Sequence, residues 1–394
     1  MPREKLLKIL SKYKVLKGNE SKLGCRLMDP KDGGHYDWEG IENDPFSSDL
    51  KALLNSYFGV IAKERGVSLS EASKATPFRW CLVIGLMMTF FASLPWFING
   101  NWICLFLTPI LAWIWGVNFW HDGLHFSLST DWRINAWIPY LFPFFSSPLW
   151  YHEHVIGHHA YPNVDHKDPD LAHAPQLMRE HKSIKWRPSH INQARWQQVL
   201  FVWSVAVSGL SLLNDAKAIL KLSYNNVVPY QSMSTPRFVA HVLGRIGYIF
   251  LVHVWPFFKL PLWKAIIWAT VPESILSICF MVNTQINHLT DQCSHASDKN
   301  FYKHQVVTAQ NFGNGSWFCY LFSGGLNYQI EHHLFPDINH CHLPALSIGV
   351  KELCRKHNVP YRHVSGYREA IRTHFAHTAS MAKKPEDGSI WFPV

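Results

Sequence analysis

From residue 80 to 120 the chain runs for 41 positions without one Asp, Glu, Lys or Arg. At about 1.5 Å per residue, that length supplies two crossings of a roughly 30 Å hydrocarbon core. Asn99-Gly100-Asn101 offers a turn, which predicts a helical hairpin over 80–98 and 102–120. Pro95 is tolerable near the end of the first helix. A second hairpin is predicted over 238–258 and 262–283, turning through residues 259–264 and weakened by Arg245 and Glu273. Two further uncharged stretches, 134–151 and 196–213, are poor spans: the first holds Pro139, Pro143 and Pro148, and the second is short and broken by Ser. If both lie in the interface, every histidine cluster falls on one side of the membrane. Ahead of the spans, residues 47–65 place Leu50, Leu53, Leu54, Tyr57, Phe58 and Ile61 at helical spacing, which predicts an amphipathic helix lying on the membrane or on the domain that follows.

Composition agrees with a membrane protein. Only 16% of the 394 residues are charged and 48% are hydrophobic, which excludes a disordered chain and argues against a soluble enzyme. Residues 1–17 alternate Lys and Arg with Leu and Ile and lack the apolar core of a cleavable signal peptide. The expected layout is a cytoplasmic N-terminal segment (1–76), a membrane domain (77–365) and a C-terminal tail (366–394). Lys74, Arg79, Arg133, Lys167, Arg179, Lys182, Lys185, Arg187, Arg195 and Arg237 flank the histidine-bearing segments, whereas the Asn99 turn carries no cation. That bias puts the histidine face in the cytoplasm, with Lys259 and Lys264 as exceptions. The net charge of +9 suits anionic lipid; no nucleic-acid motif accompanies it.

Eight cysteines without a C-x-x-C pair indicate neither a disulfide framework nor a zinc ribbon. The 24 histidines are the informative excess. His121-x-x-x-His125 closes the second predicted span. His152-Glu153-His154 is followed by His158-His159, and Gln329-x-x-His332-His333 forms a third cluster. Spacing of i,i+4 puts His121 with His125, and His154 with His158, on one helix face. Imidazole is costly to bury without a partner, so three such clusters at membrane ends point to metal. Seven or eight imidazoles are too many for one tetrahedral ion and suggest two; nitrogen ligands suit iron, copper, nickel or zinc. Asp122, Glu153 and Glu331 lie beside these histidines as candidate acceptors that orient the rings, or as ligands themselves. A transporter would need polar ligands at mid-membrane, where residues 80–120 place none.

The three clusters, in this order and between two hairpins, resemble the histidine boxes of the integral-membrane fatty acid desaturases. Gln329 and the run Gly324-Gly-Leu-Asn-Tyr-Gln-Ile-Glu-His-His-Leu-Phe-Pro336 are similar to the front-end subgroup, which inserts a double bond between an existing one and the carboxyl end. The resemblance covers about residues 40–365 and implies an all-α membrane fold: four transmembrane helices in two hairpins, with a cytoplasmic helical cap holding a dimetal site. It implies two irons, O₂ as co-substrate, a lipid acyl substrate and the endoplasmic reticulum. It also implies a further ligand, His288, so that the metal set reads His121, His125, His154, His158, His159, His288, Gln329, His332 and His333, with no catalytic residue beyond it. His152 falls outside the matching spacing and is expected behind the ligands, as are Asp122, Glu153 and Glu331. His166, His173, His241, His253, His295, His340 and His342 are expected at the surface or interface.

The second box has three residues before its His pair where many desaturases have two. Asp32-Gly-Gly-His35 does not reproduce the His-Pro-Gly-Gly of a fused cytochrome b5 domain, so a separate electron donor of cytochrome b5 or ferredoxin type is expected. Trp115, Phe119, Trp120, Trp150 and Tyr151 are candidates for lining an acyl tunnel. A sphingolipid desaturase or lipid hydroxylase of the same superfamily is the nearest alternative.

Overall fold

The computed structural model describes residues 35–165, 167–172, 175–205 and 234–385. The basic start at 1–17, Cys25, Asp32, His166, His173 and residues 206–213 of the second uncharged stretch lie outside them, as do residues 386–394.

Four helices among the described residues are long and apolar enough to cross a membrane: α2 (Pro77–Ile98), α3 (Trp102–Leu124), α4 (Thr235–Lys259) and α5 (Leu262–Gln285). An amphipathic helix, α1 (Pro45–Arg65), precedes them. The predicted hairpins are present, each helix running a few residues beyond its predicted stretch. Caps fix where the helices of the first hairpin start. Pro77 opens α2 where its missing N–H costs nothing, and Thr76 Oγ1 accepts from Arg79 N; Asn101 Oδ1 accepts from Ile103 N and Cys104 N at the start of α3. Gly100 turns the first hairpin at φ +78°, with Leu260 and Lys264 of the second turn so close that a Cβ there would lie 2.6 Å from Leu260 Cδ2. Trp102 stacks on Trp263 beside it. Both turns therefore lie together, and the far ends of α3 and α5, which lead into His121 and His288, share the other end. α3 and α5 are the inner pair, 61% and 56% buried over their apolar windows against 22% for α2 and α4.

Neither uncharged stretch between the hairpins contains a described span. Residues 134–151 break at their prolines into short pieces, Trp132–Trp137, Ile138–Leu141 and Ser147–Trp150. Arg245 of α4 anchors this stretch by donating to Pro143 O and Phe144 O. Residues 196–205 are helical, with Val199, Val202 and Trp203 buried in the main core.

Beyond α5 the chain builds the cap from α6 (Phe301–Val307), β1 (Gln310–Phe312), α7 (Trp317–Ser323), α8 (Gln329–Leu334), α9 (Leu343–Lys356), β2 (Arg362–Val364) and α10 (Tyr367–Met381). β1 and β2 pair in parallel, Asn311 opposite His363. The amphipathic helix α1 packs on this cap: Phe46, Leu50 and Phe58 share a core with Ile330, Leu334, Leu346 and Val350. The described part of the expected tail, α10, is docked rather than free, burying Ala370, His374, His377 and Thr378.

Candidate metal centre

Each box sits where a helix ends. His121 occupies the last turn of α3 and His125 its C-cap. Box three begins α8, entered through Gly324 and Gly325 at φ +68° and +93°. A Cβ on Gly324 would lie 2.6 Å from Val117 O of α3, so only glycine lets the third box approach the first this closely. The second box departs from the expected α-helix. Residues Tyr151–His158 form a π-helix, the conformation that absorbs one extra residue in a turn. Its wider turn puts both His158 and His159 on the side of His154, and accounts for the longer spacing of this box.

The boxes converge. His121, His125, His154 and His332 can each offer a nitrogen to one point, and His158, His288 and His333 to a second. His154 Nε2 lies 3.4 Å from His121 Nε2 and 3.2 Å from His159 Nε2, and His158 Nε2 lies 3.4 Å from His288 Nε2. Two nitrogens bound at about 2.1 Å to one ion sit roughly 3.0–3.4 Å apart, so these separations fit a shared metal. His159 bridges the two groups, its ring centroid 4.6 Å from that of His125 and 4.3 Å from that of His333. Gln329 lies beside the second group, its amide Nε2, a donor, 2.9 Å from His288 Nε2, while its Oε1 accepts from Asn287.

The donor chemistry fits as well. Nε2 of His125, His332 and His333 is buried without a hydrogen-bond partner, an arrangement that asks for an ion rather than packing. Burial first, and neighbouring imidazoles second, hold His125, His154, His159, His332 and His333 well below the ordinary imidazole range, and His288 at about 3. Neutral imidazoles with free lone pairs are what a metal requires. Burial also disfavours the charge on His158, but Asp168 and Asp170 outweigh it and raise the ring to about 9.

The groups behind the rings are mostly not the expected ones. Asp168 faces His158 Nδ1 at 3.0 Å, Gln305 Oε1 lies 3.0 Å from His333 Nδ1, and His288 Nδ1 donates to Thr308 O. Glu331 instead accepts from Asn311 Nδ2 and Tyr361 OH, and burial pushes its carboxyl up to about 7. His152 is buried, its Nδ1 2.7 Å from Pro148 O. Glu153 is half-buried on the π-turn. Asp122 does sit behind the centre, 3.2 Å from His340 Nδ1. Of the histidines expected at the surface or interface, His295 is exposed and His253 half-buried, but His241, His340 and His342 are buried. His340 belongs to the centre, its Nε2 3.0 Å from His332 Nδ1.

A largely apolar cavity adjoins the histidines, lined by Trp113, Trp120, Phe145, Trp150, Phe280 and Thr284 among others. Trp120 and Trp150 were expected there. Trp115 instead packs among Phe90, Phe119 and Phe142 in the core, and Phe119 and Tyr151 are not among the lining residues.

The chain is similar over most of its length to curated desaturases. An acyl-lipid (8-3)-desaturase of Mortierella alpina is 26% identical over 78% of this chain and 72% of its own. Delta(5) fatty acid desaturase A of Dictyostelium discoideum is 24% identical over 88% and 77%, and sn-1 linoleoyl-lipid 6-desaturase of Synechocystis is 26% identical over 71% and 80%. No solved structure matches the chain significantly. The profile described as fatty acid desaturase matches residues 100–365, well over half of the sequence, and includes all three boxes; the chain belongs to the fatty acid desaturase family.

Proposed function

We propose that the protein is an O₂-dependent front-end desaturase, introducing a cis double bond into an unsaturated acyl chain on the carboxyl side of an existing one. The observation that carries the reading is the pair of converging, buried imidazole groups beside an apolar cavity. His121, His125, His154 and His332 would hold one iron and His158, His288 and His333 the other, with His159 between them and Gln329 beside His288. The two ions supply the oxidising power, drawn from O₂ and two electrons, that removal of hydrogen from an unactivated methylene requires and no side chain can provide.

The chain's own residues do the rest. Trp113, Trp120, Phe145, Trp150 and Phe280 exclude water and orient the acyl chain. Asp168, Gln305 and Thr308 O hold the outer nitrogens of His158, His333 and His288, leaving their inner nitrogens to the ions. Front-end selectivity is supported by the Gln329-x-x-His332-His333 pattern and by relatives named for positions 5 and 6. Electrons come from a separate cytochrome b5 or ferredoxin-type donor. The membrane domain spans 77–365, with the histidine end in the cytoplasm at the endoplasmic reticulum.

Expression in yeast with a panel of polyunsaturated fatty acids, wild type against His332→Ala, tests the reading by gas chromatography and double-bond location. A new double bond on the carboxyl side of an existing one, absent in the variant, is expected. A hydroxylated product moves the assignment to a lipid hydroxylase.

A further inference from the structure

We infer that His340, seven residues beyond the third box, is a positioning residue of the metal centre: it accepts a hydrogen bond from His332 Nδ1–H and so fixes the tautomer that turns the His332 Nε2 lone pair inward. The inference rests on the metal reading above and deepens it by adding a residue that no box contains.

The tautomers follow from the partners. His340 Nδ1 lies 2.6 Å from Gly324 O, and a carbonyl only accepts, so the proton of His340 sits on Nδ1. Its Nε2, 3.0 Å from His332 Nδ1, is then an acceptor, and His332 carries its own proton on Nδ1. The lone pair of His332 is left on Nε2, which is buried without a hydrogen-bond partner. The His332 ring lies among those of His125 and His159, at centroid separations of 4.8 and 4.7 Å. Behind His340, Asp122 Oδ1 lies 3.2 Å from Nδ1 and reinforces the same tautomer. The other oxygen of Asp122 is held by Arg79 Nη2 and Asn339 Nδ2 at 3.1 and 2.9 Å.

Two local features keep His340 in place. Asn339 Oδ1 accepts from Cys341 N and starts the 3₁₀ turn His340–His342. Gly325 lies so close that a Cβ on it would be 2.8 Å from His340 Cβ. His340 is fully buried, and both its nitrogens are engaged by groups that serve the centre.

The test uses the purified full chain, loaded anaerobically with ⁵⁷Fe(II), and reads iron affinity and the Mössbauer spectrum for wild type, His340→Phe and His340→Gln. Phe keeps a ring but offers no acceptor, whereas Gln can place an amide oxygen near the Nε2 position. Phe is expected to weaken one of two irons by about 10- to 100-fold and to alter its quadrupole doublet, with Gln restoring both within a few-fold. If Phe does not give monodisperse protein, His340→Asn replaces it, since its shorter amide stays near Gly324 O and stops short of His332; the same loss is expected. Wild-type affinity and spectrum in the Phe or Asn variant overturn the inference, as does a Gln variant no better than Phe or Asn. A wild-type chain that binds no iron overturns the metal reading itself, and this inference with it.

Discussion

Arg79 and Asp122 form an ion pair of 3.1 Å between the start of α2 and the end of α3, with side chains 1% and 0% exposed. Arg79 also donates to Asn118 Oδ1 and Asn118 O, so its charge is spent inside the protein rather than on the membrane face where the charge bias had counted it. Breaking a buried pair strands the surviving charge, at a cost of roughly 3–5 kcal/mol. Arg79→Met is expected to lower the thermal midpoint in detergent sharply, and Arg79→Met with Asp122→Asn to recover part of the loss. A double variant no more stable than the single one would show that the pair is not the source.

The two histidine groups are expected to lose metal separately. His288→Ala removes a donor from the second group only, and His125→Ala from the first. Elemental analysis of purified protein should show each variant retaining about half the wild-type iron with desaturation abolished. Full iron in His288→Ala would remove that residue from the ligand set.

Gly324→Ala combines a left-handed backbone, worth about 1–2 kcal/mol against a side chain, with a Cβ placed 2.6 Å from Val117 O. Since a backbone atom is the obstacle, relief requires α8 to move away from α3. The expected result is a destabilisation above about 2 kcal/mol together with loss of iron, measured by thermal melting and metal content.

Thr284 lies on α5 among the residues lining the cavity beside the metal centre. Thr284→Phe fills space while leaving every histidine of the two groups in the chain, so the reading of this cavity as the acyl site predicts bound iron with at least about tenfold lower turnover, the scale that small displacements of a bound substrate produce. Unchanged turnover across acyl lengths would place the acyl chain elsewhere.

A pH effect is expected from α10. His374 is fully buried, donates from Nδ1 to Leu289 O, and is held at about 3 by burial and then by His377. The unfolded chain binds a proton near pH 6.5 and the folded one resists it, so this contribution is complete above that value and is lost as pH falls toward 3. Between pH 7 and 5 the loss is about 2 kcal/mol. The pH dependence of the melting curves over that range should be shallower by about that amount in His374→Gln, which removes one of the titrating groups.

Much of this arrangement is legible in the chain because it is local. An uncharged run sets the first two spans and long apolar runs the other two, and each box announces itself by spacing at a helix end. The amphipathic pattern of residues 47–65 specified a buried face, and Leu50 and Phe58 supply it, with Leu53, Leu54, Tyr57 and Ile61 packed against the same core. The π-turn was visible only as one residue too many in the second box. What the pattern could not reveal depends on distant pairing. Gln305 and His333 stand 28 residues apart, and Asp122 and Asn339 217 apart; no periodicity links them. His340 looked like a surface histidine because the Gly324-Gly325 turn that brings it against His332 is read as a turn without a destination. Trp115 and Phe119 have the right composition for a tunnel, but they lie toward the α2 side of α3, against Phe90 and Trp80.

The short parallel ladder bears on the order in which the centre can be completed during synthesis. Asn311 on β1 accepts from Ile330 N and donates to Glu331, while its register is set by His363 on β2. The hairpin carrying the first box can enter the bilayer as soon as it leaves the ribosome. The turn that presents His332 and His333 is braced through Asn311 by residues 362–364, so a chain stopped short of them would be inserted in the membrane with its last histidine box unbraced.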